Sequence, residues 1–95
     1  MNLHQAIREG NTKEAIKLIN EGADINTAND HGKTPLHIAA EWGNIKIVNF
    51  LLDNDANIHA VDSYGYTPLH NAMLDNNTEI VNILLDNDAD INAAD

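Results

Sequence analysis

Residues 30–62 and 63–95 are one 33-residue unit written twice, identical at 19 of 33 positions. Gly32-Lys33-Thr34-Pro35-Leu36-His37 lies over Gly65-Tyr66-Thr67-Pro68-Leu69-His70, and Ile47–Ala56 lies over Ile80–Ala89. A fixed period of this length marks a stack of small units, each too thin to bury its own apolar face without a neighbour. Such a stack presents an extended surface rather than one catalytic pocket. Its function is therefore sought where the copies differ.

Each unit carries signals for two helices. Thr34-Pro35 and Thr67-Pro68 open the first, because threonine caps well and proline loses nothing at a position whose N–H has no helical partner. That helix continues as Leu36-His37-Ile38-Ala39-Ala40-Glu41-Trp42 and is stopped by Gly43. Asn44 can cap a second helix, whose Ile47, Val48, Leu51 and Leu52 form one broad apolar face ending near Asn54. Ala56 to Tyr64 reads as extended and turn-rich, with Gly65 making the reversal before the next Thr-Pro.

The first copy is degenerate. Leu3–Gly10 aligns with the first helix but lacks the Thr-Pro opening, and Asn11-Thr12-Lys13-Glu14 has capping-box spacing. Lys17 stands where Phe50 and Ile83 stand later, and Lys13 where Lys46 and Glu79 stand. A more polar outer face is what a terminal unit of a stack requires.

These residues together resemble the ankyrin repeat family, whose 33-residue signature contains Thr-Pro-Leu-His-x-Ala. The motif reads Thr34-Pro35-Leu36-His37-Ile38-Ala39 and Thr67-Pro68-Leu69-His70-Asn71-Ala72. Gly22-Ala23-Asp24-Ile25-Asn26 and its echoes at Asp55–His59 and Asp88–Asn92 are similar to the family's loop. The resemblance implies an all-α solenoid of three stacked helix-turn-helix units, with β-hairpin-like loops projecting at right angles. The units would be a capping repeat at 1–28, a second at 29–61 and a third at 62–94, all in one domain. It further implies that His37 and His70 hydrogen-bond the Thr34 and Thr67 hydroxyls and adjoining loop backbone.

Two departures stand out. The glycine that follows the second helix in the family, present as Gly22, is replaced by Asp55 and Asp88, which predicts positive φ at both aspartates. The third copy also keeps Ile80, Val81, Ile83, Leu84 and Leu85 where a terminal unit turns polar. The expectation is that the chain is a piece of a longer array, or that its last unit docks on something, self-association included.

The formal net charge is −10, and all five Lys and Arg fall before Ile47, beyond which there are nine carboxylates and no basic residue. Such a surface repels phosphate backbones and anionic membranes, and it attracts a basic protein partner. There is no cysteine for a disulfide or thiol chemistry. No apolar run is long enough to span a bilayer, and Met1–Gly10 has no signal-like apolar region. An intracellular location is the default, although a protein exported by another route would look the same.

No constellation for chemistry is present. His4, His37 and His70 recur once per unit and lie too far apart to share a metal ion. His31 and His59 read as surface residues, since no C-x-x-C or H-E-x-x-H spacing accompanies them. Asp86-Asn87-Asp88-Ala89-Asp90 begins like a calcium loop, but Ile91 replaces the turn glycine and the closing glutamate is missing. The one serine, Ser63, has no paired base, and no glycine-rich phosphate loop exists. No cofactor is expected, and the chain does not read as an enzyme.

The positions that differ between copies name a candidate partner surface. Asp30, His31 and Lys33 become Ser63, Tyr64 and Tyr66, and Glu41 and Trp42 become Leu74 and Asp75, with Arg8 and Glu9 at the matching place in the first copy. The chain's only tryptophan and both tyrosines sit at these positions, and these residue types dominate binding hot spots. The resemblance implies that they lie on turn tips and a concave first-helix surface. The expected function is non-enzymatic protein recognition there; the alternative is a structural spacer whose binding site lies in other repeats.

Overall fold

Six helices follow one another in the computed structural model, which describes residues 1–90: α1 Leu3–Arg8, α2 Thr12–Asn20, α3 Pro35–Trp42, α4 Ile45–Asp53, α5 Pro68–Leu74 and α6 Thr78–Asp86. Among the described residues there is no strand. The last echo of the loop motif, at Ile91-Asn92, and Asp95 lie outside the described residues.

The helices start where the sequence says they should. Thr34 and Thr67 cap α3 and α5, each oxygen accepting the N–H of the histidine three residues on, and each helix begins at its proline. Asn44 accepts from the Ile47 N–H at 3.1 Å. At 11–14 one half of the capping-box pairing forms: the Asn11 side chain accepts from the Glu14 N–H at 3.2 Å. The first copy, lacking Thr-Pro, begins α1 on Asn2 instead.

Two layers result. α1, α3 and α5 pack side by side in one row, and α2, α4 and α6 in a second, with each pair joined by a short turn. Leu36, Ile47, Leu51, Leu69, Ile80 and Leu84 are sealed between the rows, next to Ala39, Ala40 and Ala72, whose small side chains let the first-row helices approach. Burying each large aliphatic side chain contributes roughly 1.5–3 kcal/mol. At the first-copy end, Lys13 and Lys17 face solvent and α2 buries only Ala15 fully.

Polar contacts repeat from one pair to the next. His4 Nε2 donates to the Lys33 carbonyl at 2.9 Å, and His37 Nε2 donates to the Tyr66 carbonyl at 2.8 Å, each across 29 residues. The tautomer of His37 is set by its other nitrogen, which accepts from the Thr34 N–H at 3.1 Å and the Thr34 hydroxyl at 2.9 Å. The loop backbone that the histidine was expected to reach therefore belongs to the following unit. Neighbouring turns also join through Ser63 N–H to the His31 carbonyl at 2.9 Å. Gly32 permits that approach: its φ is +74°, and a Cβ there would sit 2.9 Å from the Ser63 nitrogen.

Asp55 and Asp88 adopt φ of 65° and 71°, as their alignment with Gly22 predicts. Asn76 does the same at 56°, in the place held by Gly10 and Gly43. An L-residue is strained there and glycine is not. Asp55→Gly should therefore stabilise the fold by about 0.5–1 kcal/mol in urea unfolding, and an unchanged or lower midpoint would show that the aspartate compensates through its side chain.

Burial holds the His37 imidazole below its ordinary value of 6.5; the Tyr66 carbonyl, Asp62 and Glu41 pull the other way without reversing the shift, and Lys33 adds to it. The unfolded chain then takes up this proton at higher pH than the folded chain. Stability is complete above about 6.5 and falls as pH drops through that value toward the lower folded one. Melting temperature should decline between pH 7.5 and 5.5, above the carboxylate range. A His37→Gln variant, less stable at neutral pH, should show a flatter profile over the same interval.

Candidate functional site

The turn tips are built by a side chain at their base. Asn29 Oδ1 accepts the N–H groups of His31 and Lys33 at 2.9 and 3.0 Å. Asp62 Oδ1 accepts those of Tyr64 and Tyr66 at the same distances. Each turn is closed by a backbone bond, Asn29 to Lys33 and Asp62 to Tyr66, both 2.9 Å. With glycine at 32 and 65, the backbone of residues 30–33 and 63–66 is thus held by bonds that do not involve the side chains at the tips, which is the behaviour of a display loop on a rigid base.

The twelve sequence-derived candidates divide into three groups. Lys33, Glu41, Tyr64, Tyr66, Leu74 and Asp75 line one groove between the second and third helix pairs, together with Asp62 and Asn71. Arg8, Asp30 and His31 line a wider, open groove between the first helix pair and the loop that leads to α3. Glu9, Trp42 and Ser63 are exposed and line neither.

Their environments differ as well. Trp42, Tyr64 and Leu74 are 58, 68 and 65 % exposed, large apolar groups held in water by the fold. Tyr66 is half-buried, stacked between Tyr64 at a centroid distance of 6.1 Å and His70 at 6.0 Å. Lys33 and Glu41 were singled out separately, but they satisfy each other: the Lys33 ammonium donates to both Glu41 oxygens at 3.1 and 3.0 Å. A partly exposed pair of this kind contributes no more than about 1 kcal/mol, yet it ties the 30–33 turn to the side of α3.

Two groove residues were not among the candidates. Asp62 and Asn71 are only 6 and 5 % exposed. Asp62 Oδ2 and Asn71 Nδ2 have no hydrogen-bond partner and essentially no solvent contact. The signal was present in the repeat itself, since Asn71 stands where the second copy has buried Ile38, and Asp62 where it has Asn29. An unpaired polar atom in such a place costs stability and marks a site to be explained.

Among the described residues no three His, Cys, Asp or Glu side chains gather as metal ligands would. Among them, too, no helix is long and apolar enough to cross a membrane.

A family model described as ankyrin repeats matches residues 3–95 in three copies. No curated protein matches the chain.

Replacing Asn71 by the isoleucine of the second copy removes an unsatisfied buried amide without enlarging the site much. Asn71→Ile should stabilise the protein by about 1–3 kcal/mol, read as a higher melting temperature by circular dichroism. A lower one would mean that the amide is already satisfied.

Proposed function

The chain belongs to the ankyrin repeat family, and from this premise we propose that it is a non-enzymatic protein-recognition module that holds its partner across the turn tips and the exposed edge of α3 and α5. Ankyrin repeats are generally protein–protein interaction modules. The observation that carries the reading for this chain is that Trp42, Tyr64 and Leu74 stand in solvent at positions where the copies diverge. Large apolar side chains in water gain most by being covered, and aromatic ones do so at low cost in rotamer freedom. The scaffold, by contrast, is held by positions that the copies share: Leu36 and Leu69, Ile47 and Ile80, Leu51 and Leu84.

The acid-rich second half favours a partner with a basic surface, because complementary charge speeds encounter and fixes orientation. Recognition of this kind needs no cofactor.

Trp42→Ala and Tyr64→Ala touch no sealed core position, so the double variant should melt within a few degrees of the parent. It should lose partner capture from a lysate by at least about tenfold, the effect expected of hot-spot truncation. Capture that is indifferent to both changes would favour the spacer role instead.

A further inference from the structure

We propose that the groove between the second and third helix pairs is a subsite for one arginine side chain on an extended segment of the partner. The guanidinium donates to Asp62 Oδ2, and a main-chain carbonyl of the same segment accepts from Asn71 Nδ2. This rests on the protein-recognition reading above and specifies its chemistry.

The two unsatisfied atoms supply the first reason. They are the buried side-chain atoms left without a hydrogen bond among the described residues, and both belong to residues lining this one groove. The wider groove at Arg8, Asp30 and His31 has none. One atom is an anionic acceptor and the other a neutral donor, so the complementary ligand brings a cationic donor and a neutral acceptor. Charged hydrogen bonds of this type are the strong ones.

The surrounding charge supplies the second. Glu41, Asp62 and Asp75 face the groove against a single ammonium, that of Lys33, and this is already engaged by Glu41. A cation entering here meets a net negative wall. A phosphate or carboxylate meets repulsion.

The third reason separates arginine from lysine. Tyr64 and Tyr66 stack with their rings inclined by 28° and line the same groove. A planar guanidinium can lie on an aromatic face while its edge donates to a carboxylate, which a compact ammonium does less well. Neither the second Asp62 oxygen nor the Asn71 amide takes part in holding the fold. The second copy builds the same turn with Asn29 and the same helix with Ile38. A buried water bridging the two atoms is the rival arrangement, and it predicts indifference to the charge of any ligand.

The test uses the full chain and a defined probe, an acetylated and amidated alanine pentapeptide with arginine at its centre. Binding is followed by NMR through the Asn71 side-chain amide and the Tyr66 ring. Saturable shifts at millimolar probe are expected. Citrulline in place of arginine, which keeps the shape and removes the charge, should weaken binding by at least about tenfold, as should Asp62→Asn. The latter retains the oxygen that closes the turn, as Asn29 does. Lysine in place of arginine should bind measurably more weakly. Asn71→Ile, a variant chosen to fold at least as well as the parent, should also lose affinity. Absence of shifts, equal response to citrulline or lysine, or shifts unchanged in Asp62→Asn would overturn the subsite. Capture sensitive to Trp42→Ala alone would in that case leave the broader recognition reading standing, because Trp42 is exposed and does not line this groove.

Discussion

The fold depends on a single recurring reach: a histidine near the start of one helix donates to a carbonyl in the next unit. In His37 the ring is fully committed. Nδ1 takes the Thr34 N–H and hydroxyl, and Nε2 gives its proton to Tyr66. That one ring joins the helix start to the following turn, so local capping and stacking are the same event. Apolar burial between the two helix rows supplies most of the free energy but is indifferent to small shifts along the stack. Hydrogen bonds that must be met inside a dry interior are not. The histidine therefore sets the register that the aliphatic side chains then fill. His4 performs the same reach although its own unit lacks the Thr-Pro opening, which shows that the inter-unit half of the contact is separable from the capping half.

Much of this was legible in the chain. The repeat period fixed the number of helix pairs, and Thr-Pro, Asn44 and Gly43 placed the helix ends to within a residue. Comparing copies position by position also found the left-handed Asp55 and Asp88. The same comparison would have found Asn76, which replaces Gly43, but an asparagine after a helix looks like an ordinary surface residue unless the backbone is known. The direction of the histidine contact was hidden because sequence spacing says nothing about which turn lies over which ring.

The candidate surface was less fully legible. Divergence between copies also occurs at buried positions such as Ile38 and Asn71, and the residues chosen from it treated Lys33 and Glu41 as independent when eight residues of chain bring them into a salt bridge. It passed over Asp62 and Asn71 because each resembles a loop or helix residue of ordinary type. Only burial turns them into an anomaly: a polar group matters most where water cannot reach it, and burial is a property of the assembled stack. Residues that differ between copies thus comprise some that satisfy one another, such as Lys33 and Glu41, and some left unsatisfied.

The bond between Ser63 and the His31 carbonyl has a further consequence. Because successive tips are fastened backbone to backbone, and Gly32 leaves room for the joint, the side chains they carry take no part in the fastening. The tips behave like movable type locked in a frame: letters can be exchanged at residues 30, 31, 63 and 64 while the line spacing stays constant. New specificity can be composed there one character at a time, without resetting the page.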